Sequence, residues 1–218
     1  MASIELKSYD PPSTMGLVRT IVAIIFRAIS LILTVALATG VGVWSSRYMV
    51  SRGSPLSVDT YGPWQHWRDL GRESADPYTK AQLVSTGKLR ISADSAGIFE
   101  ARTDSQGARL HSSCNYKIAG ASLPGLWWSL AVFDSRGRLI RNDADRYDFT
   151  ADTIAPNPNG SFVVTLGRDA RPGNWIPTGG AGRLVLVFTV LDPANGLSDE
   201  QRAERNKRLP IITRESCS

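Results

Sequence analysis

With 218 residues, the chain has room for one sizeable domain and an anchor but not for two full domains. It carries 25 Lys and Arg against 20 Asp and Glu, a net charge of +5; the two signs alternate with no basic stripe and no interleaved aromatics, which argues against a nucleic-acid binder. There are only two histidines, His66 and His111, and no HExxH, CxxC, GxSxG or P-loop pattern, so the familiar metal, nucleophile-elbow and nucleotide sites have no sequence support and no metal or cofactor is expected.

Residues 1–16 read as a polar tail and 17–46 as a transmembrane signal anchor. From Ala28 to Ser46 there are 19 residues without a charge, and at about 1.5 Å per residue they cover the thickness of a hydrocarbon core. Arg19 and Arg27 precede this run and have stems long enough to snorkel toward headgroups. Trp44 and Tyr48 mark the far interface. Ala36-Leu37-Ala38 resembles a signal-peptidase site, but apolar residues continue through Val41, Val43 and Trp44, so an uncleaved anchor is expected. Lys7, Arg19 and Arg27 before the run outnumber Arg47 and Arg52 after it, which leans the N-terminus toward the cytoplasm.

Residues 47–75 read as a linker followed by an aromatic segment, with Tyr61, Trp64 and Trp67 covering one edge of a core. Asp76-Pro77, with Gly87 beyond Ser85, predicts a short capped helix. Strands are then expected at Leu89–Ser92, Gly97–Thr103, Tyr116–Gly120, Trp127–Phe133, Leu139–Ile140, Arg146–Phe149, Ser161–Leu166 and Arg183–Leu191. Asp134–Gly137, Pro156–Gly160 and Gly179–Gly182 supply the turns between several of them. Ser198 and Gln201 form a capping-box pattern that opens a polar helix to about Lys207, and the remainder to residue 218 reads as an irregular tail. Eight short strands at this spacing predict a mainly β fold: a jelly-roll-like sandwich over 76–195, with short flanking helices and the N-terminal helix before it.

Both cysteines, Cys114 and Cys217, follow the apolar run. An even pair in an exported domain reads most simply as one disulfide, which supports a periplasmic location for the sandwich. Trp127 and Trp128 are adjacent, so on a strand they point to opposite faces; one enters the core and the other becomes a candidate for a ligand or partner surface. Asp143, Asp145 and Asp148, with Asp152, are oxygen donors but lack the central Gly and terminal Glu of an EF-hand and are interleaved with Arg141 and Arg146; a solvated loop is expected. Arg202, Arg205, Lys207, Arg208 and Arg214 form a basic cluster that could touch anionic headgroups or an acidic partner.

Four stretches in order, WWSLAVFDSRGRLI (127–140), DRYDF (145–149), NPNGSFVVTL (157–166) and GNWIPTGG (173–180), resemble the bacterial domain-of-unknown-function family DUF1214 over roughly 76–191. The resemblance implies a jelly roll and a bacterial cell-envelope setting, here the inner membrane. In larger relatives this domain follows a DUF1254 domain in one chain; a membrane anchor stands in its place here, which implies that a separate DUF1254-type membrane protein is the partner. The family supplies no catalytic residues. Asn174, Trp175 and Pro177 are expected to form a structural corner or a binding edge. The expected function is therefore non-enzymatic partner docking, and the alternative is an envelope hydrolase or a small-ligand or carbohydrate-binding module built on the aspartates and an exposed Trp.

Overall fold

A computed structural model of the protein describes residues 14–52, 57–86, 91–121, 123, 126–193 and 196–217, in two compact units that meet between Met49 and Val50. The first is helix α1, Thr14–Arg52, of 39 residues. It has no Pro and no acid, and its apolar side chains are exposed on all sides, Phe26, Ile32 and Trp44 among them. Three of its hydroxyls turn back on the helix, Thr20 Oγ1 donating to Gly16 O, Thr34 Oγ1 to Ser30 O and Ser45 Oγ to Gly42 O, the way a polar side chain is satisfied where water is absent. Among the described residues this is the one helix long and apolar enough to cross a membrane. The helix does not stop at Ser46 as expected. It continues to Arg52, with Trp44 stacked on Tyr48 one turn later, because no breaker occurs before Gly53.

The second unit is a β sandwich. In chain order it contains β1 (Val58–Tyr61), β2 (Trp64–Trp67), α2 (Pro77–Thr86), β3 (Ala96–Ala101), β4 (Cys114–Gly120), β5 (Trp128–Asp134), β6 (Asp148–Thr150), β7 (Phe162–Gly167), β8 (Trp175–Pro177), β9 (Leu184–Leu191), α3 (Asp199–Asn206) and β10 (Ile211–Cys217). Six strands form one sheet in the order β1-β2-β3-β9-β5-β6, and four form the other, β10-β4-β7-β8. All pairs are antiparallel except β7 with β8. The inward residues of both sheets share one core, with Phe99, Leu130, Leu186 and Phe188 from the first meeting Tyr116, Ile118, Val164 and Leu166 from the second. Within the four-stranded sheet Gly120 on β4 pairs directly with Phe162 on β7, whose ring folds over it so closely that a Cβ on Gly120 would lie 2.1 Å away.

Four local expectations need correction. The aromatic segment is a strand pair, β1 and β2, joined at Gly62-Pro63 with Gly62 at φ 59°; Val, Tyr and Trp favour the pleat and Gly-Pro is turn chemistry. Of the strand expected at Leu89–Ser92, the described residues Ile91 and Ser92 are irregular, and 87–90, Gly87 included, lie outside the described residues. Leu139–Ile140 contributes only an isolated bridge from Leu139 to Phe133, because the Asp134–Gly137 turn leaves too little chain before the next loop. The expected irregular tail is strand β10, held in register by Ile212, fully buried, and by a disulfide between Cys217 and Cys114.

The helices follow their caps. Asp76 Oδ1 accepts from the backbone N–H groups of Tyr78 and Thr79 at the start of α2. At α3 both halves of the capping box form, Gln201 N–H to Ser198 Oγ and Ser198 N–H to Gln201 Oε1. The last turn of α3 carries Arg205, which bonds Asp192 and lies 5.8 Å over the Phe99 ring; Arg202 joins the same carboxylate at 3.2 Å. A Cβ on Gly97 would sit 2.7 Å from the Arg205 guanidinium, so glycine there is what lets the helix dock. The basic cluster is thereby dispersed into pairs: Lys207 and Arg208 lie against Glu204, and Arg214 against Asp104.

His66 is held beside this junction. Its Nδ1–H donates to Ile98 O at 2.9 Å and its ring lies 4.9 Å from Phe99. Burial, opposed by the Ile98 bond and reinforced by the Arg205 charge, lowers its pKa from the ordinary 6.5. The unfolded chain therefore takes up a proton before the folded one does, so His66 contributes no penalty well above pH 6.5 and a growing one as the pH falls below it. The thermal midpoint of the wild type is expected to fall relative to that of His66→Gln between pH 7 and pH 5; a constant difference across that range would contradict it.

Candidate functional site

The residues singled out from sequence are divided between the two sheets: Trp127 and Trp128 lie at the start of β5, Asp148 on β6 and Asp143 and Asp145 in the loop before it, whereas Asn174 and Trp175 lie at β8 and Cys114 and Cys217 on β4 and β10 of the four-stranded sheet. Trp128 is 4% exposed and lies in the core, its ring stacked 4.3 Å from Phe162 and 5.7 Å from Phe188. Trp127, its neighbour, is 38% exposed, and its Nε1–H donates to Asp152 Oδ2 at 2.9 Å. The alternation of a strand thus assigns the two tryptophans to opposite faces, and Trp128 is not a surface residue.

The outer face of this sheet is legible from its register, since directly paired residues share a face. One row runs Gln65, Glu100, Val187, Ala131, Asp148 and a second Ile98, Thr189, Ser129, Thr150. Phe133 and Val185 pair beyond the first row. At the rim beyond the second row Leu191, exposed, hydrogen-bonds through its N–H to the carbonyl of Trp127. Within these rows the only charges are Glu100 and Asp148, at or near the ends of one row. The middle of the sheet, Ile98, Val187, Ala131, Ser129 and Thr189, is small or apolar and only partly covered. An antiparallel sheet whose outer face meets water alternates apolar-in with polar-out more cleanly than this.

The acidic loop does not form a pocket. Asp143, Asp145 and Asp148 are all exposed, and among the described residues no group of three His, Cys, Asp or Glu side chains is placed to hold a metal ion. The loop is instead organised by Asn142, whose side chain accepts from Arg146 N–H and donates to the carbonyls of Ile140 and Arg146. Asp145 takes a left-handed conformation, φ 48°, inside that turn, and its carboxylate bonds the Tyr147 hydroxyl, which raises the Tyr147 pKa. Arg146 reaches across to the Trp175 carbonyl at 3.2 Å and lies over the Phe149 ring.

Asn174 and Trp175 are both tied to backbone groups at the start of β8. The Asn174 side chain accepts from Ala155 N–H and donates to Ala155 O and Val163 O, while Trp175 Nε1–H donates to Gly167 O. The Asn174 amide oxygen and nitrogen are both engaged with backbone, so this residue is a clamp that fixes the β6–β7 loop and, through it, the segment holding Asp152 beneath Trp127. Sequence reasoning missed the outer-face residues of β3 and β9, because Ile98, Val187 and Thr189 read as ordinary strand residues until the sheet order is known.

A separate shallow depression of about 460 Å³ lies between the β1–β2 turn and the connection from α3 to β10, lined in part by Tyr61, Trp64, Lys207 and Pro210. Its wall is already tied together, since Trp64 Nε1–H donates to Pro210 O at 2.7 Å.

Residues 95–195, which run from β3 through β9, match the sequence profile of the family described as "Protein of unknown function (DUF1214)". No curated protein is significantly similar to the chain. Among solved structures, the VPA0106 protein from Vibrio parahaemolyticus is similar in fold, with a TM-score of 0.54 and 16% identity over 82% of this chain and 43% of that one. An uncharacterized protein from Burkholderia cenocepacia aligns with a TM-score of 0.44 and 17% identity, over 79% of this chain and 40% of that one. The chain thus spans less than half the length of the solved structures it resembles. The segment from β3 through β9 is thus the part of the chain that matches the DUF1214 family.

Proposed function

We propose that this protein is a membrane-anchored, non-enzymatic docking module of the bacterial envelope. In this reading α1 lies in the inner membrane with its N-terminus in the cytoplasm, the sandwich is periplasmic, and the sheet face around Ala131 and Val187 receives a DUF1254-type domain carried by a separate membrane protein. The observation that carries the docking is the outer face itself: a six-stranded sheet with an uncharged, partly apolar centre and exposed Trp127 and Leu191 at its rim, the composition of a buried interface core and not of a solvated sheet. The Vibrio chain supports it, because more than half of that chain lies outside the likeness, so the sandwich there has further structure available to it. Location is supported by the exposed apolar helix and by the disulfide, which persists in oxidising compartments.

A charge in the middle of the face tests the docking. Ala131→Arg and Val187→Glu are expected to abolish co-purification with a co-expressed DUF1254-type membrane protein in mild detergent while leaving the thermal midpoint nearly unchanged, since both positions face outward. Retained association in both variants, or no association in the wild type, would overturn it.

A further inference from the structure

The Cys114–Cys217 disulfide sits at the end of an edge strand, beside two groups that a purely structural crosslink does not need. Cys114 is buried and Cys217 is exposed. Next to Cys114, Ser113 Oγ lies 3.8 Å from its sulfur and 2.8 Å from His111 Nδ1. The Ser113 backbone N–H also points at His111 Nδ1, at 3.1 Å, so that nitrogen is an acceptor and the Ser113 hydroxyl donates to it. The turn that holds these residues is rigid: Ser112 N–H donates to Gly182 O, Gly182 N–H to Ser112 Oγ, His111 N–H to the Tyr116 hydroxyl, and Cys114 N–H to His111 O.

From this arrangement we propose that Cys114–Cys217 is a thiol–disulfide exchange site for dithiols, with Cys217 the sulfur attacked from outside and His111 and Ser113 the relay that activates Cys114. The thiolate of an incoming dithiol attacks the exposed Cys217 Sγ; the Cys114–Cys217 bond breaks, a mixed disulfide forms on Cys217, and Cys114 leaves as a thiolate. The second thiol of the dithiol then attacks its own sulfur in the mixed disulfide and releases Cys217 as a thiolate. Two electrons and two protons pass to the protein and the dithiol becomes a disulfide. In reverse, the Cys114 S–H donates to Ser113 Oγ, whose O–H donates to His111 Nδ1, so the imidazole withdraws the proton and leaves the Cys114 thiolate to attack a mixed disulfide on Cys217. An exposed disulfide is the kind that exchanges, and the thiolate is the reactive form.

The elements around Cys114 carry both signs of charge: Arg168 donates through Nε to Ser112 O, Arg183 forms a backbone bridge with His111, Arg214 lies over the Tyr116 ring and pairs with Asp104, and Lys117 follows on β4, with Asp169 and Glu215 the remaining acids. Opening the bond does not require the sandwich to unfold. Ile212 is fully buried, and the register of β10 shifts between Arg214 and Ser216. Beyond that bulge only two residue pairs remain, Ser216 with Asn115, whose Nδ2 also donates to Ser216 Oγ, and Cys217 with Cys114, so this short stretch can fray while the rest of β10 stays paired.

The test uses the full chain in detergent micelles at pH 7.5. Millimolar dithiothreitol is expected to reduce the bond within minutes with the circular dichroism unchanged, and oxidised glutathione to reclose it through a mixed disulfide mapped by mass spectrometry to Cys217. Reduction only where the protein also unfolds, or glutathione captured on Cys114, would overturn the proposal. In His111→Ala and Ser113→Ala the reclosure rate at pH 7 is expected to fall roughly tenfold, its inflection moving up toward the ordinary thiol value of about 8.5. Unchanged pH profiles in both variants would overturn the relay.

Discussion

Replacing Asp192 by Ala is expected to destabilise the sandwich by about 3 to 5 kcal/mol, the usual consequence of leaving a buried guanidinium without its carboxylate. The Arg205 side chain is 6% exposed and that of Asp192 1%, and Arg202 shares the same carboxylate. Arg205→Ala is expected to cost a similar amount because it strands the opposite charge and removes the contact over Phe99. The double variant Asp192→Leu with Arg205→Met removes both charges together and is expected to recover most of the loss, since apolar replacement of a buried pair is often close to neutral. Urea unfolding of the full chain in mild detergent measures all three. If Asp192→Ala costs less than about 1 kcal/mol, the pair behaves as a surface ion pair and the docking of α3 rests on something else.

The two adjacent tryptophans are expected to diverge widely. Trp128→Ala removes a ring stacked on Phe162 and tilted against Phe188 and leaves a cavity between the sheets, for about 3 to 5 kcal/mol. Trp127→Ala removes an exposed ring and one hydrogen bond to Asp152, for about 1 kcal/mol or less. The same urea titration distinguishes them, and equal losses at the two positions would mean that the strand alternation has been assigned to the wrong faces.

Much of the sandwich could be read from alternation and from short apolar runs. Trp128 to Phe133 announces a strand because Trp128, Leu130 and Val132 alternate with the smaller Ser129 and Ala131, Arg183 to Leu191 because it is a short apolar run rich in β-branched residues after a glycine turn, and the caps at Asp76 and Ser198 follow from local side-chain chemistry that does not depend on the rest of the fold. β10 was hidden because Ile212 is its only fully buried side chain, so the strand has no alternating pattern to show and depends on pairing with a β4 roughly 100 residues earlier. β1 and β2 were hidden because an aromatic cluster reads equally as a loop lid. The outer face was hidden for a deeper reason: its rows join β2, β3, β9, β5 and β6, and that order exists only after the sheet has assembled. The Asp192–Arg205 pair crosses from β9 to α3, and no periodicity connects them.

The reading of the chain as a whole rests on α1 lying in lipid with the sandwich delivered to an oxidising space, and a pair of C-terminal fusions tests that most directly. Alkaline phosphatase, which needs disulfides to fold, joined after Ser218 is expected to be active, and a green fluorescent protein joined at the same point, exported unfolded, is expected to stay dark. A fluorescent fusion with an inactive phosphatase would put the sandwich in the cytosol and contradict the account.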